Sequence, residues 1–386
     1  MHFFFILHLA NEERNLKEEM KEKRKKLEAL DSLRGIAVLM VIGYHLYPEF
    51  VKGGFLGVSL FFVLSGFLIT LTSEASWTRS TFTITDFYSK RIRRIYPVLV
   101  VLFVANVCIF TFVDKQLLGG IRSEGISFFL GYNNWWQIMH NVSYFQTNGL
   151  SSPFKHLWSL SIEVQFYCLW PIFFLGYKKI LGERFLFNRI VWIGIGISAA
   201  LLFMLYQPGE DPSRVYYGTD TRIFSILLGC LMGENYQLYT GGFSKESKEE
   251  KYLQVALLFL GLVAFFFTNE NSPWTYRIGL FLTSILFAVV ILFAVDVKSF
   301  TYRLLNQSFL KWIGKRSYGV YMYHFPILIL WKAFFGMKIT VLEAVPLVCL
   351  ILVSAAYSYK YMEEPILTQV KWYGNRKEVF FDEIQK

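Results

Sequence analysis

Apolar residues along this chain come in long runs separated by short polar stretches, and the runs approach the length of a membrane crossing. The clearest cover residues 98–112, 190–206, 252–268, 278–295 and 341–357. A helix needs about twenty apolar residues to cross the hydrocarbon of a bilayer. Within lipid every backbone amide must find a partner in its own segment, so such runs predict helices. One water-soluble core does not account for so many of them. The pattern predicts an all-α polytopic integral membrane helical bundle, with the lipid bilayer as its first partner.

Loop charge orients the spans, because Lys and Arg gather on the cytoplasmic side. The basic residues 21–26 place the N-terminus inside. Spans at 33–50 and 55–72 follow, joined by a tight turn, and the loop 73–97 with Lys90, Arg91, Arg93 and Arg94 falls inside. A third span at 98–112 leads out to Asp114. The stretch 125–144 is weakly apolar and carries Asn133, Asn134, Trp135, Trp136 and Gln137. Counted as a span, it would put the basic loop 178–189 outside. It is therefore expected to be interfacial or re-entrant, with Trp at headgroup level. Spans at 157–177, 190–206, 222–236, 253–268, 277–295, 317–335 and 341–361 complete the bundle, ten crossings with both termini cytoplasmic. The expected division is a charged segment 1–30, a transmembrane domain 31–362 and a tail 363–386. Residues 1–10 form a short apolar run without a basic lead or a cleavage site.

Composition agrees: 54% of the residues are hydrophobic and only 18% charged, against about a quarter charged in soluble domains. The net charge of +10 lies between spans and forms no single basic face, so no nucleic-acid partner is expected. Cys108, Cys168, Cys230 and Cys349 lie in apolar runs without metal-ligand spacing and read as packing residues. The histidines lack metal spacing too, and there is neither a phosphate-cradling glycine loop nor a Gly-x-Ser-x-Gly elbow. No metal is expected.

Ionisable groups inside spans are costly and mark candidate chemistry. In the first span Arg34 and His45 are eleven residues apart, three helical turns or about 16 Å along the axis. A histidine there can act as general base, or simply sit at the interface. Ser65 and Gly66 lie in the second span and read alone as packing residues. The cluster Arg91, Arg93 and Arg94 can hold phosphates or serve only as a topology signal. From His156 a polar series Trp158, Ser159, Ser161, Glu163, Gln165 and Tyr167 enters a span, and Glu163 needs a partner, with His45 or His156 the natural choice. Tyr216, Tyr217, Asp220 and Arg222 mark the outer mouth of another span, and His324 lies within the bilayer.

Taken in order, Leu30-Asp31-Ser32-Leu33-Arg34-Gly35 with His45, then 57–69, 91–97 and 156–167, resemble the membrane-bound acyltransferase family 3 over nearly the whole chain. The runs 44–58 and 216–222 most resemble the membrane half of the Gram-positive peptidoglycan O-acetyltransferases. The resemblance implies a bacterial plasma-membrane enzyme that moves an acyl group, usually acetyl, from acetyl-CoA (acyl-CoA) to a hydroxyl of an envelope glycan such as peptidoglycan. It implies that Arg34 and His45 are the family's Arg-x10-His pair and that Arg91, Arg93 and Arg94 hold the CoA phosphates. On that footing Glu163 orients His45, while Ser65, Trp158 and Ser161 position the thioester. Tyr216 or Tyr217 receives or guides the acyl group, with Asp220, Arg222, His156 and His324 on the acceptor side. Those proteins usually add a further span and an extracytoplasmic SGNH-type domain, a pattern from which this sequence is expected to depart, with transfer either direct or through a separate SGNH-type partner. The alternative reading is a transporter or flippase using His and Glu as a proton relay.

Overall fold

A computed structural model describes residues 28–145, 150–236 and 246–367. The charged segment before residue 28 and the tail from 368 onward lie outside the described residues. Among those described, helix is the only regular secondary structure. The protein is an all-α, polytopic membrane protein, and eight of its helices are long and apolar enough to cross a bilayer.

In chain order the helices are α1 (Glu28–Leu46), α2 (Gly57–Thr78), α3 (Ile84–Val113), α4 (Ile121–Phe129), α5 (Asn133–Met139), α6 (Trp158–Gly176), α7 (Arg184–Leu205), α8 (Ser213–Tyr217) and α9 (Thr219–Glu234). They continue with α10 (Lys248–Phe267), α11 (Leu280–Ala294), α12 (Phe300–Leu305), α13 (Ser308–Lys315), α14 (Ser317–Phe335) and α15 (Val341–Ser358). Two segments expected as crossings, α9 and α14, have 16 and 19 residues and are not among the eight.

The basic stretch expected as a loop is helical. Thr83 caps α3 by accepting from the Asp86 N–H at 3.1 Å, and the helix runs 30 residues without a break through Pro97. Thirty residues extend about 45 Å, well beyond the hydrocarbon thickness of about 30 Å. The first turns of α3, with the arginines, therefore have a helical phase of their own.

Between α3 and α6 the expected non-spanning segment forms two short helices of 9 and 7 residues. Its amides point inward. Asn134 Nδ2 donates to the Tyr217 carbonyl at 3.0 Å and to Thr219 Oγ1 at 2.9 Å, while Gln165 Nε2 donates to Asn134 Oδ1 at 2.9 Å. These bonds explain why so polar a stretch lies within the protein: buried amides need partners, and α6 and the α8–α9 junction supply them.

Close helix contact centres on α2 and α9. A Cβ on Gly66 would fall 1.9 Å from the Ile226 carbonyl oxygen, and one on Gly229 would fall 2.0 Å from that of Val63. Small residues permit this approach, the usual packing device in membranes. The cysteines divide: Cys230 is buried, whereas Cys108, Cys168 and Cys349 face outward from the bundle, so the expected packing role holds for one of the four.

Candidate active site

Polar residues gather at two levels along α1. At the Arg34 level a cavity of about 70 Å³ is lined by Arg34, Ser65, Arg94, Ser159, Glu163 and Tyr321, among others. Glu163 accepts from the Ser65 hydroxyl at 2.7 Å and from the Tyr167 hydroxyl, one turn along α6, at 3.1 Å. Arg34 pairs with Asp31 at 3.5 Å. The Arg91 guanidinium lies over the Phe87 and Tyr167 rings at 5.4 and 5.2 Å. Arg94, one turn further, lines the cavity, while Arg93 on another flank of the helix is exposed. Arg34, Arg91 and Arg94, with Lys315 and Arg316 close by, thus face three carboxylates, Asp31, Glu163 and Glu363. The surplus positive charge, with planar guanidinium donors, suits an anionic ligand.

At the other level stands His45. Its Nδ1 is 2.9 Å from the Val41 carbonyl oxygen. A carbonyl only accepts, so Nδ1 carries the proton and Nε2 keeps its lone pair. Nε2 lies 3.4 Å from the Tyr144 hydroxyl. The His324 and Phe325 rings lie 5.2 and 5.1 Å from the imidazole, and His156 lies 5.3 Å beyond His324. Tyr144 leads into an aromatic layer, 4.7 Å from Tyr216, 5.9 Å from Trp158 and 6.0 Å from Tyr217. The buried Lys155 ammonium holds this tyrosine by donating to its carbonyl at 3.0 Å.

Behind the layer Arg222 is fully buried, with its guanidinium 4.7 Å from the Tyr216 ring and one donor on Ser59 Oγ at 2.7 Å. Its Nε and second terminal nitrogen have no partner, nor have Trp158 Nε1, the Tyr217 hydroxyl, His324 Nε2 or either ring nitrogen of His156. Each unmet buried polar group costs about 1–3 kcal/mol. A cluster of them around one histidine offers hydrogen bonds to a polar reactant.

Tyr321 joins the two levels. It lines the cavity beside Arg34, its hydroxyl is 2.6 Å from Ser159 Oγ and donates to the His156 carbonyl at 2.9 Å, and its ring is 5.2 Å from His324.

Several expectations need correction. Glu163 does not orient His45: it bonds Ser65 and Tyr167 on the Arg34 level. It lies seven residues past His156, about 10 Å further along the helix. Only His156 reaches the histidine group. The imidazole is oriented instead by the backbone of its own helix. Ser161 does not line the cavity: its Oγ accepts from the Asn133 N–H at 3.1 Å and so anchors α5. Asp220 is engaged by Arg214 at 3.1 and 2.8 Å. Tyr144, Lys155 and Tyr321 carry no role in the reading of the sequence. The spacing of Tyr321 one turn before His324 could have flagged it, but nothing local marks Tyr144 or Lys155.

Residues 27–360 match the acyltransferase domain family. The chain is similar to the peptidoglycan O-acetyltransferase OatA of Listeria monocytogenes, with 38% identity over 361 residues, covering 91% of this chain and 57% of the relative. It is also similar to the putative peptidoglycan O-acetyltransferase YrhL of Bacillus subtilis, with 37% identity over 349 residues, covering 89% and 55%. The O-acetyltransferase OatA of Staphylococcus aureus is 33% identical over 351 residues, covering 88% and 57%. The chain therefore spans just over half the length of these relatives. No solved structure matches it.

Proposed function

The chain belongs to this acyltransferase family, and on that premise we propose that it is a membrane O-acetyltransferase. It takes an acetyl group from cytoplasmic acetyl-CoA and delivers it to a hydroxyl of an envelope glycan such as peptidoglycan. Delivery is direct or through a separate SGNH-type protein. Residues 31–362 form the catalytic membrane domain, with both termini in the cytoplasm.

The observation that carries this reading is the link through Tyr321 between a cation-rich cavity and a histidine with an unprotonated Nε2. CoA phosphates dock from the cytoplasm against Arg91 and Arg94, with Arg34 deeper and Arg93, on the exposed flank, left to the membrane surface. The pantetheine arm passes Ser65 and Tyr321 towards His45. His45 Nε2 takes the proton of the acceptor hydroxyl as its oxygen attacks the thioester carbon. The C–S bond then breaks, and the CoA sulfur leaves with the proton held by His45. Trp158 Nε1 and the Tyr217 hydroxyl supply donors for charge developing on the acyl oxygen. Arg222 and Tyr216 hold the aromatic layer on the acceptor side. Membership of this family does not favour the transporter alternative.

The test is the purified protein in proteoliposomes with labelled acetyl-CoA and envelope glycan. Labelled O-acetyl ester on the glycan supports the reading. No ester, with or without an added SGNH-type protein, defeats it.

A further inference from the structure

At the His45 level a second cavity, of about 420 Å³, opens between the segment after α5 and the start of α8. Gln137, Ser213 and Tyr217 form its buried floor, and Asn141, Glu210 and Asp211 its more exposed rim. The floor belongs to the wall of the histidine site. The Tyr144 N–H donates to Ser213 Oγ at 2.7 Å, and the Tyr217 ring is 6.0 Å from that of Tyr144.

Two floor residues are almost completely buried yet keep an unpartnered polar atom, Gln137 at 1% exposure through Oε1 and Tyr217 at 0% through its hydroxyl. The Gln137 amide cannot turn to hide this. Its Nε2 donates to Asn133 Oδ1 at 2.6 Å and to the Lys155 carbonyl at 2.8 Å, both obligate acceptors. Its oxygen is thereby left as an acceptor in search of a hydroxyl or N–H.

The charge of the rim is one-sided. Arg214 is the only cation among the described lining residues, and Asp220 binds it through two hydrogen bonds. Asp211 accepts the Ser213 N–H at 2.8 Å and faces the buried Lys155, so it is the exposed Glu210 that keeps the rim acidic, repelling an anion and welcoming donors. Ile138 and Val142 are the aliphatic members of the lining. The volume falls within the usual range for small-ligand sites, roughly 300–1,000 Å³, with room for about one or two sugar rings.

We propose that this cavity seats a neutral, hydroxyl-rich glycan as acceptor, with its donors on Gln137 and the rim carboxylates and one hydroxyl turned past Tyr217 towards His45. The assignment of the glycan as acceptor rests on the function proposed above; binding itself does not.

The experiment measures binding without acetyl-CoA, using the full chain in nanodiscs. The probes are the N-acetylglucosamine tetramer, which is neutral, and a hyaluronan tetrasaccharide, which carries carboxylates. The tetramer is expected to bind saturably and at least ~10-fold more tightly than the anionic sugar. Val142→Trp, at a half-exposed lining position, fills the cavity and should abolish tetramer binding. Glu210→Lys, at an exposed rim position that cannot disturb the core, should narrow or reverse the preference. In the transfer assay Val142→Trp should raise the acceptor KM ~10-fold or more and leave the acetyl-CoA KM unchanged. Wild-type protein that binds neither sugar overturns the proposal, as does a Val142→Trp protein that binds the tetramer normally or a preference unmoved by Glu210→Lys. A protein hydroxyl would then be the acceptor to pursue. Glycan binding that behaves as expected in a protein without acetyl transfer supports the cavity and counts against the proposed activity alone.

Discussion

His45 presents its unprotonated Nε2 to the Tyr144 hydroxyl at 3.4 Å while its Nδ1 is tied to the Val41 carbonyl at 2.9 Å. The histidine is oriented by the helix that carries it, without a carboxylate. It is therefore ready to accept a proton and has no fixed negative charge beside it to hold that proton afterwards. Such a base returns the proton to a leaving thiolate readily.

Replacing His45 removes this base. His45→Ala should lower acetyl transfer by ~10²–10⁴-fold, the usual worth of a positioned acid–base group. Its melting temperature in detergent should stay close to wild type, since His45 is only half-buried. A folded variant that transfers label at the wild-type rate would refute the assignment.

Tyr144→Phe keeps the ring in the aromatic layer and deletes only the hydroxyl that faces Nε2. We expect kcat to fall ~10-fold with both KM values unchanged, as for a group that acts mainly in the transition state. Steady-state kinetics with the two substrates varied separately would detect a purely structural tyrosine by an unchanged kcat.

Arg94→Gln takes one cation from the cavity that also holds Arg34 and Glu163. A charge-assisted hydrogen bond is worth about 1.5–3 kcal/mol, so the acetyl-CoA KM should rise ~10-fold or more. With acetyl-pantetheine, which lacks the nucleotide phosphates, wild type and variant should differ far less. Equal losses with both donors would place the phosphates elsewhere.

Gly229→Ala adds a methyl carbon where the Val63 carbonyl already stands, at 2.0 Å. Backbone atoms cannot swing aside as a flexible side chain does, so α2 and α9 must separate. A loss of about 1–3 kcal/mol is expected from overpacking, visible as a lower midpoint of thermal unfolding. Gly261→Ala, where nothing lies within 4 Å, is the control.

Glu124 in α4, outside the crossing helices, holds its proton more tightly than a free carboxyl does. Burial pushes its carboxyl from an ordinary 4.5 up to about 7, partly offset by the Ser152 hydroxyl, which donates to it at 2.7 Å. The folded state therefore binds this proton more tightly than the unfolded chain. Its stabilising contribution is complete below pH 4.5 and is lost as pH rises towards 7, by up to about 3 kcal/mol. Thermal unfolding between pH 5 and pH 8 should show that loss, and Glu124→Gln should flatten it.

Much of this protein was legible along the chain. The apolar runs define the crossing helices because backbone hydrogen bonding in lipid leaves few alternatives. The polar crowd at 133–137 set that segment apart from the long apolar runs, and it forms two helices, each too short to cross alone. His45 and Arg34 stood out because ionisable groups in such runs are expensive. Reading 73–97 as a loop hid one further fact: a helix that starts at Ile84 separates Arg91 and Arg94 from Arg93 by its own periodicity.

Pairing between segments was beyond the sequence. Glu163 meets Ser65, 98 positions away, and His45 meets Tyr144, 99 positions away. Both contacts follow from how far one helix slides and turns against another, and close packing at Gly66 and Gly229 fixes that register. Periodicity states which face of a helix is polar, but it carries no information about the depth at which two faces meet. The sequence by itself therefore determined the helices and the chemical groups they carry. Only tertiary packing assigned Glu163 to the arginines and left His45 to a tyrosine, because a shift of two helical turns, about 10 Å, exchanges one partner for another.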